Sequence, residues 1–178
     1  MLKFLIVGEN SINKEEIVDL LLMNKDIFNV AKVFTTNKEE VENSKYKYYL
    51  STEELNICYK NNAILYIKTV LNNSQGITLE SFYDNNLIFM NTEDFNNISN
   101  KIFLSNNELV VVWLDTKNHD KNFLTNEIYE SNYLLEKLEN DNIKYLYFLD
   151  SSSIEIMDVL IEYMLHEEKR AEILENYQ

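Results

Sequence analysis

The amino-terminal stretch of this chain restricts its fold more than any other part of the sequence. Residues 2–7 form a short, mostly apolar run that stops at Gly8, which predicts a fully buried strand. Residues 14–22 follow as a helix, with Ile17, Leu20 and Leu21 on one face. Because a buried strand, a turn and a helix form the repeating unit of α/β proteins, this opening predicts an α/β fold.

The turn between this strand and helix carries part of a phosphate-binding pattern. A phosphate loop has the sequence Gly-x-x-x-x-Gly-Lys-Ser/Thr, in which backbone N–H groups and the lysine hold phosphates and the hydroxyl holds Mg²⁺. Gly8 and Lys14 have the required spacing, but Asn13 replaces the second glycine and Glu15 replaces the hydroxyl. Asparagine adopts left-handed backbone conformations more readily than most residues, whereas the Glu15 carboxylate repels phosphate. Two interpretations stay open: a degenerate nucleotide site, or a strand-to-helix turn with a surface lysine.

The remaining sequence predicts strands that alternate with helices. Strands are expected at residues 29–34, 47–50, 63–70, 87–90, 106–114 and 143–149, and helices after Ser51, at 78–83, at 125–138 and after Ser152. Strands separated by helices predict a parallel sheet flanked by helices. Two polar, hairpin-like stretches predict a small antiparallel insertion at residues 37–75. With no linker or repeat in the sequence, we expect a single domain over residues 1–178.

Two of these helices carry a start signal in the sequence. Ser51 with Glu54, and Ser152 with Glu155, have the spacing of a capping box, which satisfies free N–H groups at a helix start. The inward stripe expected for the final helix consists of Ile154, Met157, Leu160, Ile161 and Met164.

Composition excludes several classes of function. The 178 residues carry a formal net charge of −14, so binding to nucleic acid or to an anionic membrane surface is not expected. No apolar run approaches the roughly 20 residues of a membrane span. The one cysteine, Cys58, predicts a small core residue in a reducing compartment, hence a cytoplasmic protein. Heavy use of Asn, Lys, Ile and Tyr is typical of AT-rich coding sequences, such as those of low-GC bacteria or their phages. If the chain is phage-encoded, we expect it to be assembled in a phage particle.

Other candidate sites have simpler interpretations. His119 and His166 lie far apart with no cysteine at ligand spacing, so no metal site is predicted and His119 is expected in a loop. Residues 151–153 are all serine, which helix capping explains without a catalytic triad. Several tyrosines surround the predicted insertion, and they suit either a core or a protein-binding surface; they are Tyr46, Tyr48, Tyr49, Tyr59 and Tyr66.

Several short stretches, in this order, resemble motifs of the guanylate kinase family, a branch of the phosphate-loop nucleoside monophosphate kinases. The matching stretches are residues 33–37 (family S-x-T-T-R), 48–55 (tyrosine, aromatic, valine, serine and a helix start), 60–66 (a helix end and F-L-E), 73–77 (N-x-Y-G-T/S) and 143–153 with the following helix. The only two glycines, Gly8 and Gly76, fall on glycine positions of family motifs. The resemblance implies the family's phosphate-loop fold, with an insertion corresponding to the GMP-binding lobe.

The departures from the family pattern fall on the residues that carry its chemistry. The resemblance places Asn37 at a phosphate-gripping arginine, Tyr66 at the guanine-reading glutamate and Gln75 at a phosphate-binding tyrosine. Ile77 replaces a hydroxyl residue, and Asn91 stands at an aspartate position. The segment 114–145 is shorter than its counterpart by roughly a dozen residues, which implies a shortened lid. Arg170, in the final helix, is the only arginine. Since phosphoryl transfer depends on positioned cations, little kinase activity is expected.

The sequence therefore predicts a non-catalytic guanylate-kinase-like domain that works through protein–protein contacts, as a scaffold, assembly or structural component. Its expected partner is another protein or a second copy of the chain, with no catalytic residue, metal or cofactor. The alternative is a divergent nucleoside monophosphate kinase, or a sensor that binds nucleotide without turnover, using ATP and Mg²⁺. Its nucleotide-binding residues would be Gly8, Asn13, Lys14, Glu15, Tyr66, Gln75 and Gly76.

Overall fold

The computed structural model describes residues 2–9, 12–23, 26–103, 109–117, 126–141 and 143–175. Their elements follow in the order β1 (Lys3–Gly8), α1 (Lys14–Leu21), β2 (Val33–Thr35), α2 (Lys38–Glu42), β3 (Lys47–Tyr49), α3 (Thr52–Lys60), β4 (Ile64–Val70), β5 (Asn73–Thr78), α4 (Leu79–Tyr83), β6 (Leu87–Met90), α5 (Thr92–Phe103), β7 (Leu109–Asp115), α6 (Asn126–Asn140), β8 (Lys144–Leu149) and α7 (Ser153–Glu175). No helix among these residues combines the length and apolar character that a membrane crossing requires.

The central sheet is parallel and has the order β6-β1-β7-β8. Every residue of β1 is buried, because helices cover both faces of the sheet. Leu5 and Val7 belong to the core on the side of α5 and α6, while Phe4 and Ile6 belong to the core on the side of α1 and α7. The prediction of an α/β fold with a parallel sheet flanked by helices is confirmed.

A second sheet, with the order β3-β2-β5-β4, stands beside the first. The β2–β5 and β4–β5 pairs are antiparallel, but β2 and β3 are parallel. The sheet is therefore mixed, and its strands run from residue 33 to residue 78, beyond the predicted 37–75. Val30 forms a single parallel bridge to Leu87, so residues 29–34 do not form the one continuous strand that we predicted.

For most elements, the bounds predicted from local sequence patterns lie close to the observed bounds. The strand at 87–90 has the predicted bounds, and both capping boxes are present: the Glu54 N–H donates to Ser51 Oγ over 3.2 Å and the Glu155 N–H donates to Ser152 Oγ over 3.3 Å. Three elements that we did not predict are α2, β5 and α5. Part of the predicted lid (residues 118–125, which include His119) lies outside the described residues.

Two predictions about burial are wrong. Ile154 was placed in the inward stripe of α7, but its side chain is 60 % exposed, because the buried face begins at Ile156 and continues through Leu160 and Met164. Cys58 lies on α3 as predicted but is only half-buried, since α3 covers the second sheet chiefly through Leu55.

Candidate functional site

Lys14 turns back into the loop that precedes it. Gly8 ends β1 and Lys14 begins α1, and the Lys14 ammonium donates hydrogen bonds to the carbonyl oxygens of Gly8, over 3.0 Å, and Glu9, over 2.6 Å. Burial lowers the pKa of Lys14 to about 8, although the nearby Glu9 and Asp94 carboxylates oppose that shift. At pH 7 the side chain is therefore still mostly cationic, and its charge is directed to the protein's own carbonyl groups.

The two substituted positions of the loop have partners of their own. The Asn13 side chain caps α1 by accepting from the Glu16 N–H over 3.3 Å, and the φ of Asn13 is −76°, outside the left-handed region. The Glu15 carboxylate accepts from the Ser44 hydroxyl over 2.9 Å, in the segment between α2 and β3. Helix capping and a contact to the second sheet's connecting segment therefore explain the substitutions that depart from the phosphate-loop pattern.

Glu40 on α2 gathers three donors at the inner face of the second sheet. Its Oε2 accepts from Lys47 Nζ over 2.7 Å, from Gln75 Nε2 over 2.7 Å and from Thr35 Oγ1 over 3.3 Å. Burial raises the pKa of Glu40, but the hydrogen bonds and charge of Lys47, together with those of Gln75 and Thr35, hold it below its ordinary value. The polar residues of this region are thus bonded to one another.

Asp94 on α5 forms a second polar cluster, which joins the central core to the second sheet. Its two carboxylate oxygens accept from Lys68 Nζ over 2.8 and 2.7 Å, and Oδ1 also accepts from the Tyr66 hydroxyl over 2.6 Å. The Asp94 side chain is only 14 % exposed. Burial and the Asp94 carboxylate raise the pKa of Tyr66 above its ordinary value, so this hydroxyl keeps its proton. We call the side chains of Tyr66, Lys68 and Asp94 the latch.

Two spaces adjoin the latch, and the larger is an open groove of about 520 Å³ lined by Tyr66 and Lys68 on β4 and by Glu93 and Asn97 on α5. A cavity of about 50 Å³ lies beside the latch, lined in part by Tyr66, Gln75 and Gly76. Pockets for small molecules usually start at about 300 Å³, so a purine base does not fit here without a rearrangement. A larger depression of about 330 Å³ lies at the other side of the loop, between Asn13 at the start of α1 and residues 150–153 before α7.

The residues predicted for the alternative therefore fall into two groups. Gly8, Asn13, Lys14 and Glu15 share the turn, and Tyr66, Gln75 and Gly76 line the small cavity. The sequence did not reveal Glu40, Lys68 or Asp94. A signal for Asp94 was present, because Glu93 and Asp94 follow a predicted strand and stand in the first turn of α5.

The tyrosines near the second sheet divide between core and surface. Tyr46 is buried, and its hydroxyl donates to Asp19 on α1. Tyr48 is half-buried, whereas Tyr49 and Tyr59 are about half exposed, at 41 % and 51 %.

Comparisons with known proteins identify the fold. No protein-family model matches the chain, and no curated protein matches its sequence. Among solved structures, the guanylate kinase from Anaplasma phagocytophilum is similar, with a TM-score of 0.58 and 15 % sequence identity over 93 % of this chain and 85 % of that one. The chain has a guanylate kinase-like fold, as its sequence motifs predicted.

Proposed function

We propose that this chain is a non-catalytic guanylate-kinase-like domain that acts through protein–protein contacts, as a scaffold, assembly or structural component. The observation that carries the proposal is that two lysines, Lys14 and Lys68, are bound to groups of the protein itself. Lys14 donates to the loop carbonyls of Gly8 and Glu9, and Lys68 is bound by both oxygens of Asp94. Each lysine would have to leave these partners before it could contact a phosphate.

Carboxylates in the same region add a second argument. Glu15, Glu40 and Asp94 accept hydrogen bonds from the protein's own Ser44, Lys47 and Lys68, respectively. Loss of a single cationic group from a phosphoryl-transfer site lowers the rate by about 10³ to 10⁵. A site with paired lysines, three carboxylates and no arginine among residues 1–169 is a poor stabiliser of the charge that develops during transfer.

The test is nucleotide binding and turnover. Isothermal calorimetry and thermal denaturation with ATP–Mg²⁺, GMP and both together are expected to give no binding and no shift. A ligand present at 100 times its dissociation constant stabilises a protein by about 2.7 kcal/mol, which raises the Tm of a chain of this size by about 5–10 °C. At about 1 mM nucleotide, a dissociation constant of about 10 μM would give this shift.

A matched pair of variants makes the result specific. Lys14→Ala removes the loop lysine, and Lys32→Ala removes an exposed lysine elsewhere. Submillimolar binding that Lys14→Ala abolishes and Lys32→Ala leaves intact, together with transfer of phosphate to a nucleoside monophosphate, would overturn the proposal.

The depression of about 330 Å³ beside the start of α1 favours an alternative function, a sensor that binds ATP or GTP without turnover. A divergent kinase is the second alternative, and it would also require catalytic groups. The depression has the volume of a small-molecule site and adjoins the loop, and ATP with Mg²⁺ would be its ligands. Binding without turnover in the same experiment would favour the sensor.

A further inference from the structure

The outer edge of the second sheet is formed by β4. Its only strand neighbour among the described residues is β5. A two-residue turn, Leu71 and Asn72, joins β4 to β5, so the bonded pairs of the ladder are Val70 with Asn73 and Lys68 with Gln75. The backbone N–H and C=O groups of Ile67 and Thr69 therefore point outward, where they form a template for another strand.

The turn at the end of β4 presents an apolar side chain at a backbone position that disfavours it. Leu71 has a φ of 48° and Asn72 a φ of 69°, and the Leu71 side chain is 91 % exposed. Glycine and asparagine normally occupy such left-handed turn positions, because a side chain like that of leucine crowds its own backbone there. Within one copy, Leu71 has both an unfavourable backbone and a solvent-exposed apolar side chain.

An open groove of about 520 Å³ runs along β4 from Ile64 to Lys68. Its wall includes Tyr59 and Asn62 from the end of α3, Ile64 from the start of β4, and Glu93 and Asn97 from α5. A bulge between Ile64 and Tyr66 bends the strand at this point, so a regular ladder of hydrogen bonds would not continue past it. The edge thus has a partly apolar groove along residues 64–68, with Tyr59 and Asn62 at its α3 end, and an exposed apolar tip at Leu71.

We propose that two copies of the chain associate through β4, antiparallel and related by a two-fold axis at Ile67. Pairing of Ile67 with Ile67 of the second copy places Lys68 opposite Tyr66, and Val70 opposite Ile64. The Leu71 side chain then lies against the groove of the second copy, near its Tyr59. This inference deepens the proposed function, on which it rests, by naming a second copy as a protein partner and β4 as the surface.

Charge favours this register over its neighbour. A register centred on Lys68 would place two ammonium groups directly opposite each other, and like charges in that arrangement destabilise a strand pair. The register centred on Ile67 places no like charges opposite each other along β4. The net charge of −14 on each copy still opposes association, so the contact is expected to strengthen when salt screens that repulsion.

The size of the contact sets the expected affinity. One strand edge, one turn and one groove bring on the order of ten residues per copy together, fewer than the 20–30 of a standard interface. Association is therefore expected to be weak and reversible, with a dissociation constant of about 10–100 μM.

Analytical ultracentrifugation of the full chain from about 5 to about 500 μM, at low and moderate NaCl, tests the proposal. We expect a monomer–dimer equilibrium that salt shifts toward the dimer. Leu71→Asn should weaken association by about 10-fold or more, because it removes the apolar tip from both contacts. Asparagine suits the left-handed position, so this variant should fold at least as well as the parent chain, which excludes unfolding as the cause. Met23→Asn changes another exposed apolar side chain, 76 % exposed in the turn after α1, and should leave association unchanged.

The register has a separate test. In a Cys58→Ser background, Ile67→Cys should be cross-linked to a dimer by a short bismaleimide, whereas Leu149→Cys, on the exposed edge of β8, should not. A chain that stays monomeric at about 500 μM, or a dimer insensitive to Leu71→Asn, would overturn the inference. Either result would leave the non-catalytic proposal standing, because that proposal is judged by nucleotide binding and turnover.

Discussion

Of the two glycines, Gly76 has the surroundings that leave less room for a side chain. It pairs with Phe34 on β2 and with Ile67 on β4. A Cβ atom at this position would lie 2.0 Å from the Tyr66 carbonyl oxygen and 2.8 Å from the Phe34 ring. Neither glycine of the chain has a positive φ, so Gly76 is required here for close approach of strands and not for backbone conformation.

The substitution Gly76→Ala is therefore expected to destabilise the protein by about 3 kcal/mol or more, since backbone atoms must move apart. Gly8→Ala is the matched control. Its Cβ would lie 3.1 Å from Leu114 Cβ and 3.3 Å from the flexible end of Ile12, so a cost of about 1 kcal/mol is expected. Urea denaturation followed by circular dichroism measures both, and equal losses in the two variants would contradict this account.

Lys14 should make stability depend on alkaline pH. Because its folded-state pKa is about 8, below the ordinary 10.5, the folded protein releases this proton at a lower pH than the unfolded chain. The cost of the buried charge is present in full below pH 8 and is relieved as the pH rises from about 8 toward 10.5. Relative to Lys14→Met, the parent chain should gain free energy of unfolding over that interval. A difference between the two proteins that stays constant with pH would contradict the assignment.

At the scale of elements, the latch is the connection between α5 and β4. It joins the central core to the second sheet through one carboxylate, one ammonium and one hydroxyl. The contact between the second sheet and the core is therefore stabilised by the protein's own side chains.

Asp94→Asn should cost about 2 kcal/mol of stability, because the Lys68 ammonium loses its charged partner in a largely buried place. Glu93→Gln, an exposed neighbour on the same helix, should change stability by less than about 0.5 kcal/mol. Combining Asp94→Asn with Lys68→Met should cost less than the sum of the single changes, as expected for directly interacting groups. Additive losses in urea denaturation would show that the latch is not an energetic unit.

The elements also explain which parts of the site were predictable. Gly8 and Lys14 were found through the spacing of the phosphate-loop pattern, and Tyr66 and Gln75 through the resemblance to guanylate kinase motifs. The latch was missed because α5 was missed. The sequence of α5 contains several asparagine and serine residues of modest helix propensity, and burial of Phe95 and Ile98 in the core stabilises it. Their spacing of three was the available signal.

In the second sheet, β5 was also missed by the sequence analysis. β5 has few apolar residues and contains Gly76, so its sequence lacks the alternation typical of a strand. It forms because β2 and β4 pair with it on both sides. Such pairing depends on tertiary contacts between segments that lie far apart in the sequence, and a single sequence does not reveal them.

At the scale of the whole molecule, the fold and the net negative charge depend on different residues: the fold on buried ones and the charge on exposed ones. Chains only 15 % identical share this fold, because buried apolar positions and strand order determine it. The net charge of −14 instead acts between exposed groups over distances of several ångströms, as mutual repulsion that disfavours the compact state. Ion pairs such as Lys68–Asp94 and Lys47–Glu40 offset only a small part of this excess of negative charge.

Salt should therefore stabilise the monomer. Raising NaCl from about 20 to about 300 mM shortens the range of repulsion from roughly 20 Å to below 10 Å, and a gain of about 1 kcal/mol in the free energy of unfolding is expected. Exposed ion pairs also weaken in the same interval. The stability that they contribute is smaller than the stability that repulsion between unpaired charges removes. Urea denaturation at a protein concentration of a few micromolar, where the dimer is not populated, gives the measurement.

The control for this effect is the same experiment near the isoelectric point. At pH 4.5, close to the pI of 4.5, the net charge is near zero and little repulsion is left for salt to screen. The gain with salt should then shrink or change sign, since only attractive pairs are weakened. An equal gain at pH 7 and pH 4.5 would mean that salt acts on apolar burial and not on charge. The dependence on pH thus separates repulsion between exposed carboxylates from the general effect of salt on a folded protein.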